Sequence, residues 1–152
     1  MDELQAHDGL VGRGGWSPGR TGSPTARSPT PMGADPSGYV LYTADGRFSI
    51  TISRRGRARF AASDLLGGTA QEKARAVEGF VAYAGRYSFH GDRVIHHLEL
   101  SLFPNWVGSD QERWVELAGG RLILSASPLP LAGKQQVPRL VWERVDPDGL
   151  GN

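Results

Sequence analysis

A chain of 152 residues with no cysteine, and with 17 basic against 16 acidic side chains, excludes disulfides, thiol nucleophiles and thiolate metal sites. It also lacks the basic excess that a dedicated nucleic-acid surface needs. Hydrophobic residues at 39% and charged residues at 22% fit one soluble globular domain. No apolar run approaches the roughly 20 residues of a membrane helix. The opening MDELQAHDGLVG is acidic and has no hydrophobic h-region, so the cytoplasm is the expected compartment.

Residues 1–31 are expected to form an atypical or disordered front segment. Within it, Arg13 to Pro31 is rich in Gly, Pro, Ser, Thr and Arg and has almost nothing to bury. The texture changes at Met32, where a domain over residues 32–145 is expected to begin. Gly38 to Thr43 reads as a strand of aromatic and β-branched residues. Asp45-Gly46 is a hairpin turn. Arg47 to Ser53 alternates, with Phe48, Ile50 and Ile52 to one side. Arg54 to Arg59 is a basic loop, read as a solvated turn.

Thr69 to Ala84 predicts the one helix, near residues 70–84. Thr69 and Glu72 form a capping-box pattern. Ala70, Ala74, Val77, Val81 and Ala84 lie along an apolar stripe, and Gly85 is the expected stop. Strands follow at Arg86 to His90, Val94 to Phe103, Gln111 to Leu117 and Arg121 to Ser125. A proline-rich loop, Pro128 to Gln136, leads to a last strand from Val137 to Val145, and a flexible tail covers residues 146–152. Seven short strands joined mainly by turns, with one helix, indicate an all-β antiparallel meander. Such a sheet closes to protect its edges, and a barrel of about eight strands holds side chains or one small ligand.

The string HHLELSLFPNW (residues 96–106), together with MGADPSGYVLYTADGR (32–47), the DLL-G-T-x-x-E-K helix running into FVAYAGRY, and LVWER near the end, resembles the small bacterial and fungal lipocalin-like domain family. The resemblance implies an up-and-down calycin-type barrel with an internal cavity and no single agreed activity. Some members of that family sit beside enzymes of secondary metabolism. The front segment departs from the family pattern, which places a Trp-containing first strand there. With permitted codons, a shifted frame over residues 15–31 reads as an apolar strand and an Asp-Gly hairpin, an idea the gene sequence tests.

Strand alternation places His96 with Val94, Leu98 and Leu100, and places His97 with Glu99 and Ser101 on the other face. Which face points inward stays open. The apolar set favours His96, and the family motif, with its fixed His97, Glu99 and Ser101, favours the polar set. Arg113 on the next strand binds a ligand anion or pairs with Glu99 if it points inward, and is a solvated charge if it points outward. Trp106 flanks the barrel mouth or plugs it. Tyr42, Tyr83 and Tyr87 line the cavity or pack the core.

The resulting expectation is a small-molecule binding barrel for an apolar or amphipathic ligand, with Tyr42, His96, His97, Glu99, Ser101, Trp106 and Arg113 as binding residues. The alternatives are an isomerase or cyclase using His97, Glu99 and Arg113, and an interaction protein whose barrel is filled. No cofactor or metal is expected, because His97 and Glu99 supply only two of the three or four ligands zinc needs. Neither nucleic acid nor membrane is an expected partner, while self-association through open strand edges is expected if the altered front segment deprives the barrel of its first strand.

Overall fold

The computed structural model describes residues 16–18, 32–33 and 35–144. The expected frayed tail, Val145, the frame-shift idea and most of the front segment lie outside the described residues. Eight strands close a barrel: β1 (Trp16–Pro18), β2 (Ser37–Tyr42), β3 (Arg47–Ser53), β4 (Phe80–His90), β5 (Arg93–Ser101), β6 (Asp110–Ala118), β7 (Arg121–Ala126) and β10 (Arg139–Arg144). Every neighbouring pair is antiparallel, in the order β1-β10-β7-β6-β5-β4-β3-β2 and back to β1. Trp16–Pro18, inside the segment expected to be loosely attached, pairs with Trp142–Arg144 on one side and Val40 on the other.

Alternation builds the core. In β3, Phe48, Ile50 and Ile52 are buried while their neighbours are not, because successive side chains leave opposite faces of a strand. Val40, Tyr83, Tyr87, Val94, Leu98, Leu122, Leu124 and Trp142 join them inside. Fully burying residues the size of Val40, Ile50 or Leu122 stabilises the fold by about 1.5–3 kcal/mol each. The β6–β7 hairpin turns on Gly119 and Gly120, at φ 58 and 75, the left-handed pair that a two-residue turn requires.

The helix, α1, spans Ala70–Glu78 rather than reaching Ala84. Thr69 caps it as expected: its Oγ1 accepts from the Glu72 amide at 3.1 Å, and the Glu72 carboxylate accepts from the Thr69 amide at 2.9 Å. The Thr69 amide, then the Ala61 amide, which donates to the same carboxylate at 3.0 Å, hold the Glu72 carboxyl below the ordinary range. The predicted stripe is no packing face, since α1 buries no residue and Val77 is exposed. Phe80 to Ala84 instead opens β4, paired with β3 from Ser53↔Phe80 to Ser49↔Ala84. Sheet pairing and burial of Tyr83 override a helical period that had only alanine and valine to bury.

Three further differences follow. The proline-rich loop contains a hairpin, β8 (Leu129–Leu131) and β9 (Lys134–Gln136), which forms its own two-stranded sheet. The expected last strand starts at Arg139 rather than Val137. A bulge also breaks β5. Gly85 pairs with Leu98, whereas Ala84 pairs with Leu100, so Glu99 and Leu100 share one partner position. Leu100 therefore points outward, 69% exposed, against the expectation that it follows Leu98 inside. The bulge depends on Gly85, where a Cβ would meet the His97 carbonyl oxygen at 2.0 Å.

Candidate functional site

The barrel interior has two connected parts. The deeper part is a closed aromatic cluster around His96, which is 0% exposed. His96 Nε2 and the Tyr42 hydroxyl share a hydrogen bond of 2.7 Å. Phe48 stacks on the imidazole at 4.2 Å between centroids, tilted by 14°. Tyr87 packs edge-on against Tyr42, and its hydroxyl donates to the Thr43 carbonyl at 2.8 Å. Burial, then the nearby Arg113 charge, pushes the His96 imidazole down to about 3, so it is neutral. Burial also pushes the Tyr42 and Tyr83 phenols up, with Arg113 opposing the rise in both. Three neutral polar rings are the result. His96 Nδ1 is buried and has no hydrogen-bond partner among the described residues.

The second part is a cavity of about 100 Å³. Ile50 and Ile52 of β3, Val81 and Tyr83 of β4, Arg113 of β6, Leu124 and Ala126 of β7, and Leu140 of β10 line it. Trp106 enters from a short 3₁₀ turn, Pro104–Trp106. The turn is folded back because the Gly108 amide donates to the Leu98 carbonyl at 2.8 Å and the Leu98 amide to the Ser109 carbonyl at 3.0 Å. Leu129 and Leu131 of β8, with Pro138, close the mouth. Tyr83 joins the two parts, meeting Phe48 edge-on at 5.9 Å and Trp106 edge-on at 5.5 Å.

Of the sequence-predicted residues, Tyr42, His96, Trp106 and Arg113 lie inside, though only Trp106 and Arg113 line the cavity itself. Tyr83, which sequence reasoning offered only as a core or lining aromatic, is the central wall. His97 and Glu99 face outward, so of the two faces left open by the sequence it is the apolar one, with His96, that points inward. Alternation from the buried Val94, His96 and Leu98 forces both His97 and Glu99 out. Past the bulge, Ser101 pairs with the inward Tyr83, and its Oγ accepts from the Phe103 amide at 3.1 Å, which ends the strand rather than serving a ligand.

The outer wall has its own polar chain. His97 Nδ1 lies 2.7 Å from Asp110 Oδ1, and His97 Nε2 lies 3.1 Å from Ser88 Oγ. His90 Nε2 approaches the same Ser88 Oγ at 3.1 Å. This copies the order nucleophile, base and orienting carboxylate. It stands on the outer face of the barrel, where the strands that carry it are paired in the sheet ladder. Glu99 bonds Arg47 at 2.9 Å and Arg86 at 3.1 Å, both exposed. Among the described residues no three metal-ligating side chains converge.

Comparison with known proteins agrees with the barrel. The profile of the lipocalin-like domain family matches residues 22–145. The 4'-hydroxy-3'-methoxypropiophenone carrier protein of Aspergillus oryzae is 35% identical over 106 residues, covering 64% of this chain and 96% of that protein. With its closed antiparallel barrel and a family match over most of its length, the chain belongs to the lipocalin-like domain family.

Proposed function

We propose that the protein is a carrier for a small, largely apolar molecule containing an aromatic ring, held in the barrel cavity. The observation that carries this reading is the cavity itself, an apolar space walled by Tyr83 and Trp106 at one end of a closed barrel. Apolar walls with a few polar groups are the usual make-up of a small-molecule site. The fungal relative's name supports an aryl ketone as the first compound to try.

The size of the cavity adds a condition. At about 100 Å³ it is smaller than the roughly 150 Å³ apolar cavity known to take up benzene. A ring therefore enters by displacing the mouth, where Leu129 and Leu131 of the β8–β9 hairpin are the movable wall. The hairpin forms a sheet of its own, outside the barrel ladder.

The test is native mass spectrometry of the protein with 4'-hydroxy-3'-methoxypropiophenone, followed by recovery of the compound. The carrier reading expects a 1:1 adduct, weakened by Trp106→Ala, and a compound recovered unchanged in mass, chromatographic retention and NMR spectrum. An isomer recovered at the same mass but with a different retention and spectrum, or a ring-closed product lighter by one water, supports the isomerase or cyclase reading instead. No adduct at millimolar compound removes the aryl ketone class.

A further inference from the structure

Among the described residues that line the cavity, Arg113 is the only charged side chain. Its direction follows from register. It pairs with Val94 and Ala126, both buried, and paired residues share a face of the sheet. The guanidinium is oriented by two neutral acceptors, the Glu112 carbonyl at 2.9 Å and Gln111 Oε1 at 2.5 Å. Tyr83 lines the same cavity beside it. None of these groups carries a charge to offset its own.

The carboxylates of the neighbouring strands are all spent on the outer wall. Glu112 pairs with Arg93, Glu99 with Arg47 and Arg86, Asp110 with His97, and Glu143 with Arg121. Glu116, between the inward Val115 and Leu117, is exposed. Among the described residues Arg113 has no ion pair. Its inward neighbours Tyr42, Tyr83 and His96 are neutral. A charge bordering an apolar space is costly unless something of opposite sign meets it, and a guanidinium offers a fork of donors suited to an oxyanion.

We infer that the cavity is built for an anionic ligand: an apolar, ring-sized body bearing one oxyanion, a carboxylate or an ionised acidic hydroxyl, that docks on Arg113. This rests on the carrier reading and adds a charge requirement to it. The ring meets Tyr83 and Trp106, and the oxyanion takes the donors that Gln111 and the Glu112 carbonyl leave unused.

Two matched probe pairs test it: 3-phenylpropionate against 3-phenylpropanamide, and 4-nitrophenol, above its own ionisation, against 4-nitroanisole. Binding is followed by calorimetry, and for 4-nitrophenol also by its phenolate absorbance. The inference expects at least one anion to bind about tenfold or more tightly than its neutral mate. Arg113→Gln is expected to abolish that preference by bringing the anion down to its neutral mate, with circular dichroism showing that the barrel stays folded. Arg113→Lys is expected to keep part of it, since a point charge replaces a fork. A preference for the carboxylate alone, or for the phenolate alone, identifies the source of the oxyanion. Equal binding of anion and neutral mate overturns the inference and leaves the carrier reading standing, as does a preference that survives Arg113→Gln. If no member of either pair binds, both readings fall.

Discussion

The two faces of β5 carry the same residue one position apart, and the two imidazoles live in different solvents. His96 is sealed among Phe48, Tyr42 and Tyr83, with one nitrogen bonded and the other without a partner. His97 stands on the outer wall with both nitrogens engaged, its side chain 40% exposed. The inner position has only neutral neighbours apart from Arg113, while the outer wall is a grid of paired charges. The chain thus keeps its carboxylates out of the barrel and leaves one cation within reach of whatever enters.

The largest expected effect breaks the inner side. His96→Ala removes a stacked ring from a fully buried site and leaves the Tyr42 hydroxyl without a partner. A loss of roughly 3–5 kcal/mol of unfolding free energy is expected in urea titration. His97→Ala, which removes only half-exposed bonds, is expected to cost less than about 1 kcal/mol. Similar losses for the two variants would mean that the inner and outer faces are not distinct environments.

That contrast was only half legible in the sequence. Period-two alternation is plain in Arg47–Ser53 and gives the right inward set. It also runs correctly from Val94 to Leu98, so His96 shares a face with Val94 and Leu98 by pattern alone, while the inward direction of that face is seen only in the barrel. Beyond Leu98 the pattern misleads, because a bulge depends on a carbonyl of one strand meeting a glycine of another. Gly85 reads in sequence as a helix stop, and only against the His97 carbonyl does its missing side chain matter. The start of β4 was hidden for a related reason. Ala70 to Ala84 carries a helical period, and pairing with β3 decides the matter at Phe80. The β8–β9 hairpin escaped notice because its turn uses Ala132, at φ 50, before Gly133, where Asn or Asp would be the familiar signal. Arg113 was visible as a candidate anion partner; its direction needed the pairing with Val94 and Ala126.

A middle-sized effect sharpens the comparison through acid. The folded-state value of His96, about 3, lies below the 6.5 of an unfolded chain. Between those values the unfolded chain takes up a proton that the folded barrel refuses. The stability owed to this group is therefore complete above pH 6.5 and falls as pH drops toward 3, by about 1.4 kcal/mol per pH unit. From pH 7 to pH 5 the loss is about 2 kcal/mol. It is read as the difference in slope between the wild-type protein and His96→Gln, which shares the other titrating groups. Parallel slopes would show that His96 takes up its proton in the folded state as readily as in the unfolded one.

The smallest expected effect is the sharpest check on where ligands bind. Glu99 holds Arg47 and Arg86 in a three-charge cluster, yet the side chains involved are 46%, 50% and 66% exposed. Water and salt screen such contacts, so Glu99→Gln is expected to change unfolding free energy by no more than about 1 kcal/mol, and less at high salt. Glu99 also lies on the far side of the sheet from Tyr83, Trp106 and Arg113, so the affinity for 3-phenylpropionate should not move. The pairing of the substitutions carries the argument. If Arg113→Gln removes the preference for the anion and Glu99→Gln leaves it intact, recognition belongs to the inner face. If Glu99→Gln alters binding while the protein stays folded, the outer wall contributes to the site, and Ser88, His97 and Asp110 become the residues to substitute next.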